Sequence, residues 1–338
     1  MKFDRSIELG EQCHAGIPGA AHTYAKGEDQ YPQGMAPFIV RGEGAHVWDL
    51  DGNEFIEYGM GLRAVTLGHA NRRVVEAAYR QMLKGANFVR PSPIEYECAQ
   101  EFLHCVTGAE MVKFAKNGSD ATSAAVRLSR GYTGRDLIAI CADHPFFSVD
   151  DWFIGTTPMT AGIPKSIREL TVSFRYNDLE SVQALFARHP REIACLIMEA
   201  EKDVPPRENF LYQVQQLCQE NGAVFVLDEM ITGFRIHPGG AQAYFNVQAD
   251  ICTYGKIVGG GLPIGVIAGK AEYLDHIDGG PWNYGDASYP QVERTFFGGT
   301  FCQYHEAMVA ARAVLKYLEE QGPGLQEQLN RRTAKFAE

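Results

Sequence analysis

Short apolar runs alternate with longer segments of helical spacing through the middle of the chain. The runs occupy residues 111–115, 137–141, 193–198 and 223–227, and helical segments follow residues 118, 178 and 210. An apolar run of this length, bounded by glycine and charge, is typical of a strand buried on both faces of a parallel sheet. The alternation from residue 111 to 269 therefore predicts an α/β fold with a doubly wound, mostly parallel sheet.

The N-terminal part has a different pattern. Residues 3–13 have the spacing of a short amphipathic helix. Asp51 and Gly52 lie between alternating apolar positions, which is a strong signal for a β-hairpin. Asn71 precedes a further helical segment as a candidate N-cap. The pattern predicts a small β-containing lobe ahead of the α/β domain.

Composition narrows the functional classes. Hydrophobic residues make up 45% of the 338 residues and charged residues 22%, which is ordinary for a soluble globular protein. The net charge of −11 argues against nucleic acid or an anionic membrane as a partner. No apolar stretch has the length of a membrane span, and the first residues lack the apolar core of a signal peptide. We therefore interpret the chain as cytoplasmic.

The cysteines support the same compartment. The eight cysteines include no CxxC pair, and several, such as Cys141 and Cys195, lie inside apolar runs. Scattered cysteines of this kind are typical of buried free thiols in a reducing environment. The sequence thus predicts neither a disulfide framework nor a metal site.

The strongest chemical signal joins a strand end to a lysine. The run at residues 223–227 is followed by Asp228 and Glu229, at the position where open α/β sheets bind ligands. Lys256 follows a second apolar segment and precedes three glycines, so its amine can be desolvated and nucleophilic. Pyridoxal 5'-phosphate (PLP) requires an acid that keeps its ring nitrogen protonated and an amine that forms a Schiff base. Each motif alone also fits a helix cap or a solvated turn, but their order and spacing together favour a cofactor site.

A second candidate feature is an anion cradle. The strand predicted at residues 111–115 leads to Asn117, Gly118 and Ser119, and a segment of good helix formers follows. The N–H groups and the dipole of a helix N-terminus favour a phosphate, and Gly118 allows a close approach of the backbone. In isolation the segment fits an ordinary N-cap better than a phosphate site, and the choice of phosphate binding depends on the family resemblance given below.

The segments LDEMITGFR and YGKIVGGGLPIGVIAGK resemble the core signature of class III, fold-type I, PLP-dependent aminotransferases. Within that class, they are most similar to the glutamate-1-semialdehyde 2,1-aminomutase group. The resemblance implies an N-terminal lobe with a substrate-loop segment over residues 1–70 and a large PLP-binding α/β domain over 71–316. Residues 317–338 would start a C-terminal subdomain that is missing or truncated, so the chain is predicted to be either a fragment or an enzyme without that subdomain.

The resemblance also implies roles for individual residues. Lys256 would hold PLP as a Schiff base and move a proton, and Asp228 would keep the ring nitrogen protonated. The other residues implied to bind the cofactor are Asn117, Gly118 and Ser119 at the phosphate, Phe146 on the ring with Phe147 as the next choice, Met230 on the opposite ring face, and Thr300 in FFGGTF at the phosphate of a neighbouring subunit. The role of Thr300 implies a homodimer with a shared active site.

The chain departs from the family pattern in several places. Its phosphate loop reads Asn-Gly-Ser-Asp-Ala where relatives have Ser-Gly-Thr-Glu-Ala, and the usual aromatic-His-Gly is absent after the strand at 137–141. Glu199 is followed by Ala200 instead of proline. His144 is interpreted as a strand-end residue without chemistry. The stretch from residue 294 is predicted to run from a strand into a helix, and residues 325–338 are predicted to form a charged helix.

Substrate recognition is the least determined feature. Arg63 can pair with a substrate carboxylate, and the alternative is a solvated loop arginine. The aminomutase group has a basic residue and a tryptophan in its N-terminal loop, where this chain has Lys26 and Leu62. The predicted function is therefore amino-group transfer between an amine or amino acid and a keto or aldehyde compound. Intramolecular transfer by an aminomutase is the alternative.

Two interpretations come from other classes. A nicotinamide-dependent dehydrogenase is disfavoured because no G-x-G-x-x-G follows the first predicted strand of the sheet. A PLP-binding scaffold without turnover stays open because of the short C-terminal part. The intact pair Asp228 and Lys256 argues against it.

Overall fold

The chain forms two compact units. The computed structural model describes residues 1–144, 146–288, 290 and 292–338. The first unit is Met1–Arg72 and the second is Arg73–Glu338. Each unit has its own sheet, so the two are described separately below.

The first unit contains a three-stranded antiparallel sheet. Its elements are helix α1 (Asp4–Gly16), strands β1 (Ile39–Glu43), β2 (His46–Asp49) and β3 (Glu54–Ile56), and the short helix α2 (Met60–Arg63). β2 pairs with β3 across the turn that contains Asp51 and Gly52, so the predicted hairpin is confirmed. The Asp51 carboxylate accepts the N–H groups of Arg5 and Ser6 at 2.8 and 2.9 Å. The hairpin turn thereby caps α1.

The second unit is organised around a seven-stranded sheet. Its strands are β4 (Met111–Ala115), β5 (Leu137–Cys141), β6 (Thr171–Phe174), β7 (Ile193–Glu199), β8 (Val224–Asp228), β9 (Ile251–Gly255) and β10 (Gly265–Gly269). Its helices are α3 (Arg72–Met82), α4 (Pro93–Cys105), α5 (Gly118–Thr133), α6 (Asp151–Ile154), α7 (Lys165–Arg168), α8 (Leu179–Arg188), α9 (Phe210–Asn221), α10 (Gly240–Tyr244), α11 (Ala271–Leu274), α12 (His305–Gln321) and α13 (Pro323–Ala337). The apolar runs of the sequence are therefore strands, as predicted.

The sheet is mostly parallel. Its strands follow the order β4-β10-β9-β8-β7-β5-β6. β10 runs antiparallel to β4 and β9, and the pairs formed by β9, β8, β7, β5 and β6 are all parallel. The chain order reverses between β5 and β7, which is where α/β sheets form ligand crevices. The predicted α/β fold with a mostly parallel sheet is confirmed.

Burial on both faces explains the apolar sequences of the central strands. Every residue of β7, β8, β9 and β10 is buried. Charged residues in these strands occur only at carboxyl ends, where Glu199 and Asp228 lie opposite each other in the register of β7 and β8. Burying a charge is costly unless it is paired or hydrogen-bonded. These two buried carboxyl groups are therefore candidates for a functional role.

The C-terminal elements agree with the sequence in part. The charged helix is confirmed as α13. The strand predicted ahead of α12 is wrong, because residues 293–304 form no strand and α12 begins at His305. The Phe296 carbonyl, which a sheet would pair with a backbone N–H, accepts instead from the Arg127 guanidinium at 2.8 Å. Side chains thus take the place of a backbone ladder in this segment.

The structure adds three observations on broad class. All eight cysteines are free, and five of them are buried. Within the described ranges, no group of three or more His, Cys, Asp or Glu side chains is arranged to hold a metal ion. No helix described here is long and apolar enough to cross a membrane.

Candidate active site

Asp228 is a buried carboxyl at the end of β8. Its Oδ1 accepts the Met230 N–H at 2.8 Å and the Thr253 hydroxyl at 3.2 Å. Burial raises the pKa of Asp228 to about 6, although the Met230 N–H, the Lys256 charge and the Thr253 hydroxyl all act to lower it. Burial makes the charged form of Asp228 costly, and a nearby positive charge would offset that cost. Asp228 is therefore suited to binding a cation or a protonated ring nitrogen.

Glu229 is adjacent to Asp228 in sequence, but its hydrogen bonds hold neighbouring parts of the fold together. Its carboxylate accepts the Thr232 hydroxyl at 2.7 Å and the N–H groups of Ala241 and Gln242 at 2.9 and 2.8 Å. The last two belong to the first turn of α10, so Glu229 anchors that helix. Burial raises its pKa, and the three hydrogen bonds oppose that effect. The two neighbouring acids therefore have separate surroundings.

Lys256 begins a short 3-10 turn directly after β9. Its φ of 47° lies in the left-handed region, which non-glycine residues seldom adopt. Such backbone strain is concentrated at functional positions. A Cβ on the preceding Gly255 would lie 2.7 Å from the Met230 Sδ and 3.0 Å from the Ile264 carbonyl. Glycine at 255 therefore lets Met230 pack closely beside the start of the lysine turn.

The predicted cradle is the N-terminus of α5, a helix of 16 residues. Asn117 is the N-cap, and its Oδ1 accepts the Asp120 N–H at 3.0 Å. The Ser119 Oγ accepts the Val149 N–H at 3.1 Å, which leaves its hydroxyl proton free to donate. A Cβ on Gly118 would lie 3.0 Å from the Met230 Sδ. Met230 thus contacts both the cradle and the residue before Lys256.

The two candidate ring-stacking residues are separated by exposure. Phe147 is 2% exposed and packs on Phe153 with 5.5 Å between ring centroids. Its carbonyl also accepts the Thr122 hydroxyl at 2.8 Å. Phe146 is 49% exposed, so its ring is accessible to a ligand. The structure therefore places Phe147 in the core and Phe146 at the surface.

Thr300 and Arg63 are both exposed. Thr300 is exposed and precedes the N-cap of α12, Tyr304, by four residues. Thr300 is therefore not the cap of that helix. Arg63 ends α2 in the first unit, is exposed and has a φ of 69°.

Sequence reasoning missed Thr253 and gave His144 no role. Thr253, on β9, donates to Asp228, and its only signal is its place in a strand that pairs with β8. His144 is buried, and its Nδ1 accepts the Glu199 N–H at 3.0 Å, so the neutral ring carries its proton on Nε2. Burial lowers the pKa of His144 to about 4. This imidazole connects the ends of β5 and β7, where the chain order reverses.

The geometry defines a class of protein. A strand-end lysine, a buried acid and a helix N-terminal cradle lie on a seven-stranded, mostly parallel sheet, which is the fold-type I transferase architecture. Residues 25–338 match the family Aminotransferase class-III. The chain belongs to this family.

Relatives and a solved structure agree with that membership. The chain is 37% identical to the glutamate-1-semialdehyde 2,1-aminomutase of Methanosphaera stadtmanae, over 81% of this chain and 66% of that protein. It is 35% identical to the protein of the same name from Acetivibrio thermocellus, over 100% of this chain and 79% of that protein. The FumI protein of Sphingopyxis sp. MTA144, solved in its PLP internal aldimine form, is 28% identical with a TM-score of 0.84, over 94% of this chain and 73% of that chain. This chain thus spans about two thirds to four fifths of the relatives' length.

Proposed function

We propose that this chain binds PLP and transfers an amino group between an amine or amino acid and a keto or aldehyde compound. The observation that carries the proposal is the meeting of two strand ends. Lys256 follows β9 in a left-handed conformation, and its charge acts on the buried Asp228 at the end of the neighbouring β8. Membership of the class-III aminotransferase family supports the same activity.

The residues present fit PLP. The 16-residue helix α5 offers N-terminal N–H groups, and Ser119 offers a hydroxyl, to the phosphate. A Cβ at Gly118 would lie 3.0 Å from the Met230 Sδ, so glycine lets Met230 pack against the start of α5. Asp228 would accept a hydrogen bond from a protonated ring nitrogen, and the cation would lower its raised pKa.

The chain's own residues supply binding and proton transfer. When bound, PLP draws electrons from the substrate carbon next to the amine. The Lys256 Nζ would hold the cofactor covalently, and the same amine would carry the proton at that carbon. Asp228 would hold the ring nitrogen protonated, while Phe146 and Met230 would cover the two ring faces.

Intramolecular transfer is the second candidate. Relatives that cover 81% and 100% of this chain are named glutamate-1-semialdehyde 2,1-aminomutase. An aminotransferase needs a second, keto substrate to complete a cycle, whereas an aminomutase returns the amino group to the same molecule. Turnover of glutamate-1-semialdehyde without an added keto acid would favour the aminomutase. PLP binding without any reaction with amines would favour a scaffold.

The remaining parts of the proposal concern the assembly and the substrate. We infer a cytoplasmic homodimer in which Thr300 of each copy binds the phosphate in the other. Residues 1–70 would form a substrate lobe, 71–316 the cofactor domain and 317–338 the start of a C-terminal subdomain. Arg63 is proposed to pair with a substrate carboxylate, so Arg63→Ala should raise KM for acidic substrates and leave kcat for neutral amines unchanged.

The test is the visible absorption spectrum of the purified protein with PLP, before and after an amino donor. The wild type should give a band distinct from free PLP that fades on adding a donor, and Lys256→Ala should give neither change. Lys165→Ala is the matched control, because Lys165 lies on the surface and pairs with Glu169. A wild-type spectrum identical to that of free PLP would contradict the proposal.

A further inference from the structure

Lys116 lies in a corner between two aromatic rings. It is half-buried and directly precedes the cradle residue Asn117. Its Nζ is 4.4 Å from the ring centroid of Tyr304 and 5.2 Å from that of Phe301. The two ring planes are nearly perpendicular, at 87°, with their centroids 6.4 Å apart. A cation within about 6 Å of an aromatic face is attracted by the ring quadrupole, so two rings act on this one ammonium.

The rings belong to the segment of residues 296–304, which contains Thr300. This segment has neither helix nor strand, and it borders the buried site through Phe297. Phe297 packs on the cluster of Ala115, Ala121 and Met230, and the Lys113 Nζ lies 5.7 Å from its ring centroid. Side-chain contacts therefore hold the segment beside β4 and the first turn of α5.

We propose that Lys116 is a positioning residue for this segment. Its ammonium, held by Tyr304 and Phe301, keeps the Thr300 segment at the end of β4 before any cofactor is present. The consequence for the cofactor rests on the proposed function, because Thr300 matters only if a phosphate is bound nearby. The positioning itself is a property of the cofactor-free protein and can be measured there.

Hydrogen exchange of the cofactor-free protein tests the positioning. Lys116→Met keeps an apolar side chain but removes the charge, and peptides from residues 296–304 should exchange about fivefold faster. Lys116→Arg should keep the slow exchange of the wild type, because a guanidinium also binds aromatic faces. Lys165→Met should leave these peptides unchanged. Melting temperatures recorded alongside show whether each variant is folded.

PLP titration gives the second measurement. Lys116→Met and Tyr304→Leu should each weaken PLP binding about fivefold, and the double variant should be no weaker than either one. Unchanged exchange in Lys116→Met would overturn the inference. So would weaker PLP binding with unchanged exchange, since Lys116 would then act directly on the phosphate. Faster exchange in a protein that never binds PLP would support the positioning and contradict the proposed function.

Discussion

Two regions beside Met230 are built in different ways. Asp228 and Lys256 follow buried strands, so backbone ladders and the register of β8 and β9 set their positions. The segment 296–304 has no ladder. It is held by contacts between rings and cations and by hydrogen bonds from the Arg127 and Gln303 side chains to backbone carbonyls. The proposed covalent and proton-transfer groups therefore lie on the part that backbone hydrogen bonds hold in place. The proposed phosphate contact of Thr300 lies on the part that can be loosened by single side-chain changes.

The largest expected effect comes from breaking the rigid region. A Cβ at Gly265 in β10 would lie 1.9 Å from the Asn117 carbonyl oxygen, and neither backbone can move without disturbing the sheet or the cradle. Gly265→Ala should therefore lower the free energy of unfolding by about 3 kcal/mol or more. Denaturant unfolding measures the change.

Gly324→Ala is the control for that variant. It lies in α13, and an added Cβ would meet no atom within 4 Å. Stability should stay the same or rise slightly, because alanine favours helix more than glycine does. Equal losses in the two variants would show that the contact with Asn117 does not constrain the sheet.

The next prediction compares substitutions of the neighbouring acids Glu229 and Asp228. Glu229→Gln should destabilise the cofactor-free protein by about 2 kcal/mol, because the amide keeps one acceptor oxygen while its NH2 group cannot accept the N–H group or hydroxyl on the other side. Asp228→Asn should change stability at pH 8 by less than about 1 kcal/mol, because it removes a buried charge. Its PLP affinity should fall about 100-fold.

Chemical unfolding and PLP titration of both variants provide the measurements. A loss of stability in Asp228→Asn as large as that in Glu229→Gln would contradict the separation of a functional acid from a structural one. Full PLP affinity in Asp228→Asn would contradict the proposed bond to the ring nitrogen.

The smallest effect concerns the pH dependence at His144. Its folded pKa of about 4 is below the value of 6.5 expected without burial, so the unfolded chain binds more protons between these values. Stability should therefore fall as pH falls through this window, by roughly 1 kcal/mol between pH 6 and 5. His144→Asn keeps an acceptor for the Glu199 N–H and does not titrate, so it should lack this slope.

Asp228 titrates in the opposite direction, because its raised pKa makes the folded state bind more protons between 3.8 and about 6. The informative quantity is thus the difference in slope between wild type and His144→Asn, measured by urea unfolding at pH 5, 6 and 7. Parallel curves for the two proteins would show that His144 does not titrate as its burial indicates.

Much of the fold was predictable because the burial of a strand is visible in its own short stretch of sequence. The apolar runs that became β5, β7 and β8 are continuous because both faces of these strands are covered, whereas β4 lies at the sheet edge and exposes Met111 and Lys113. The start of α5 was equally readable, since Asn117, Gly118 and Ser119 have the residue types of a helix N-terminus. The prediction of a strand ahead of α12 was wrong because an apolar, aromatic sequence indicates burial but does not identify the elements that cover it.

The sequence by itself determined the α/β class, the strand-end position of Asp228 and the turn at Lys256. These depend on residues that are neighbours in the chain, where apolar period, glycine and charge act directly. Only the tertiary structure separated Asp228 from Glu229, exposed Phe146 while burying Phe147, and joined His144 to Glu199. It also brought Lys116 to Tyr304. Such contacts join residues that are distant in sequence, so the packing of the whole chain decides them.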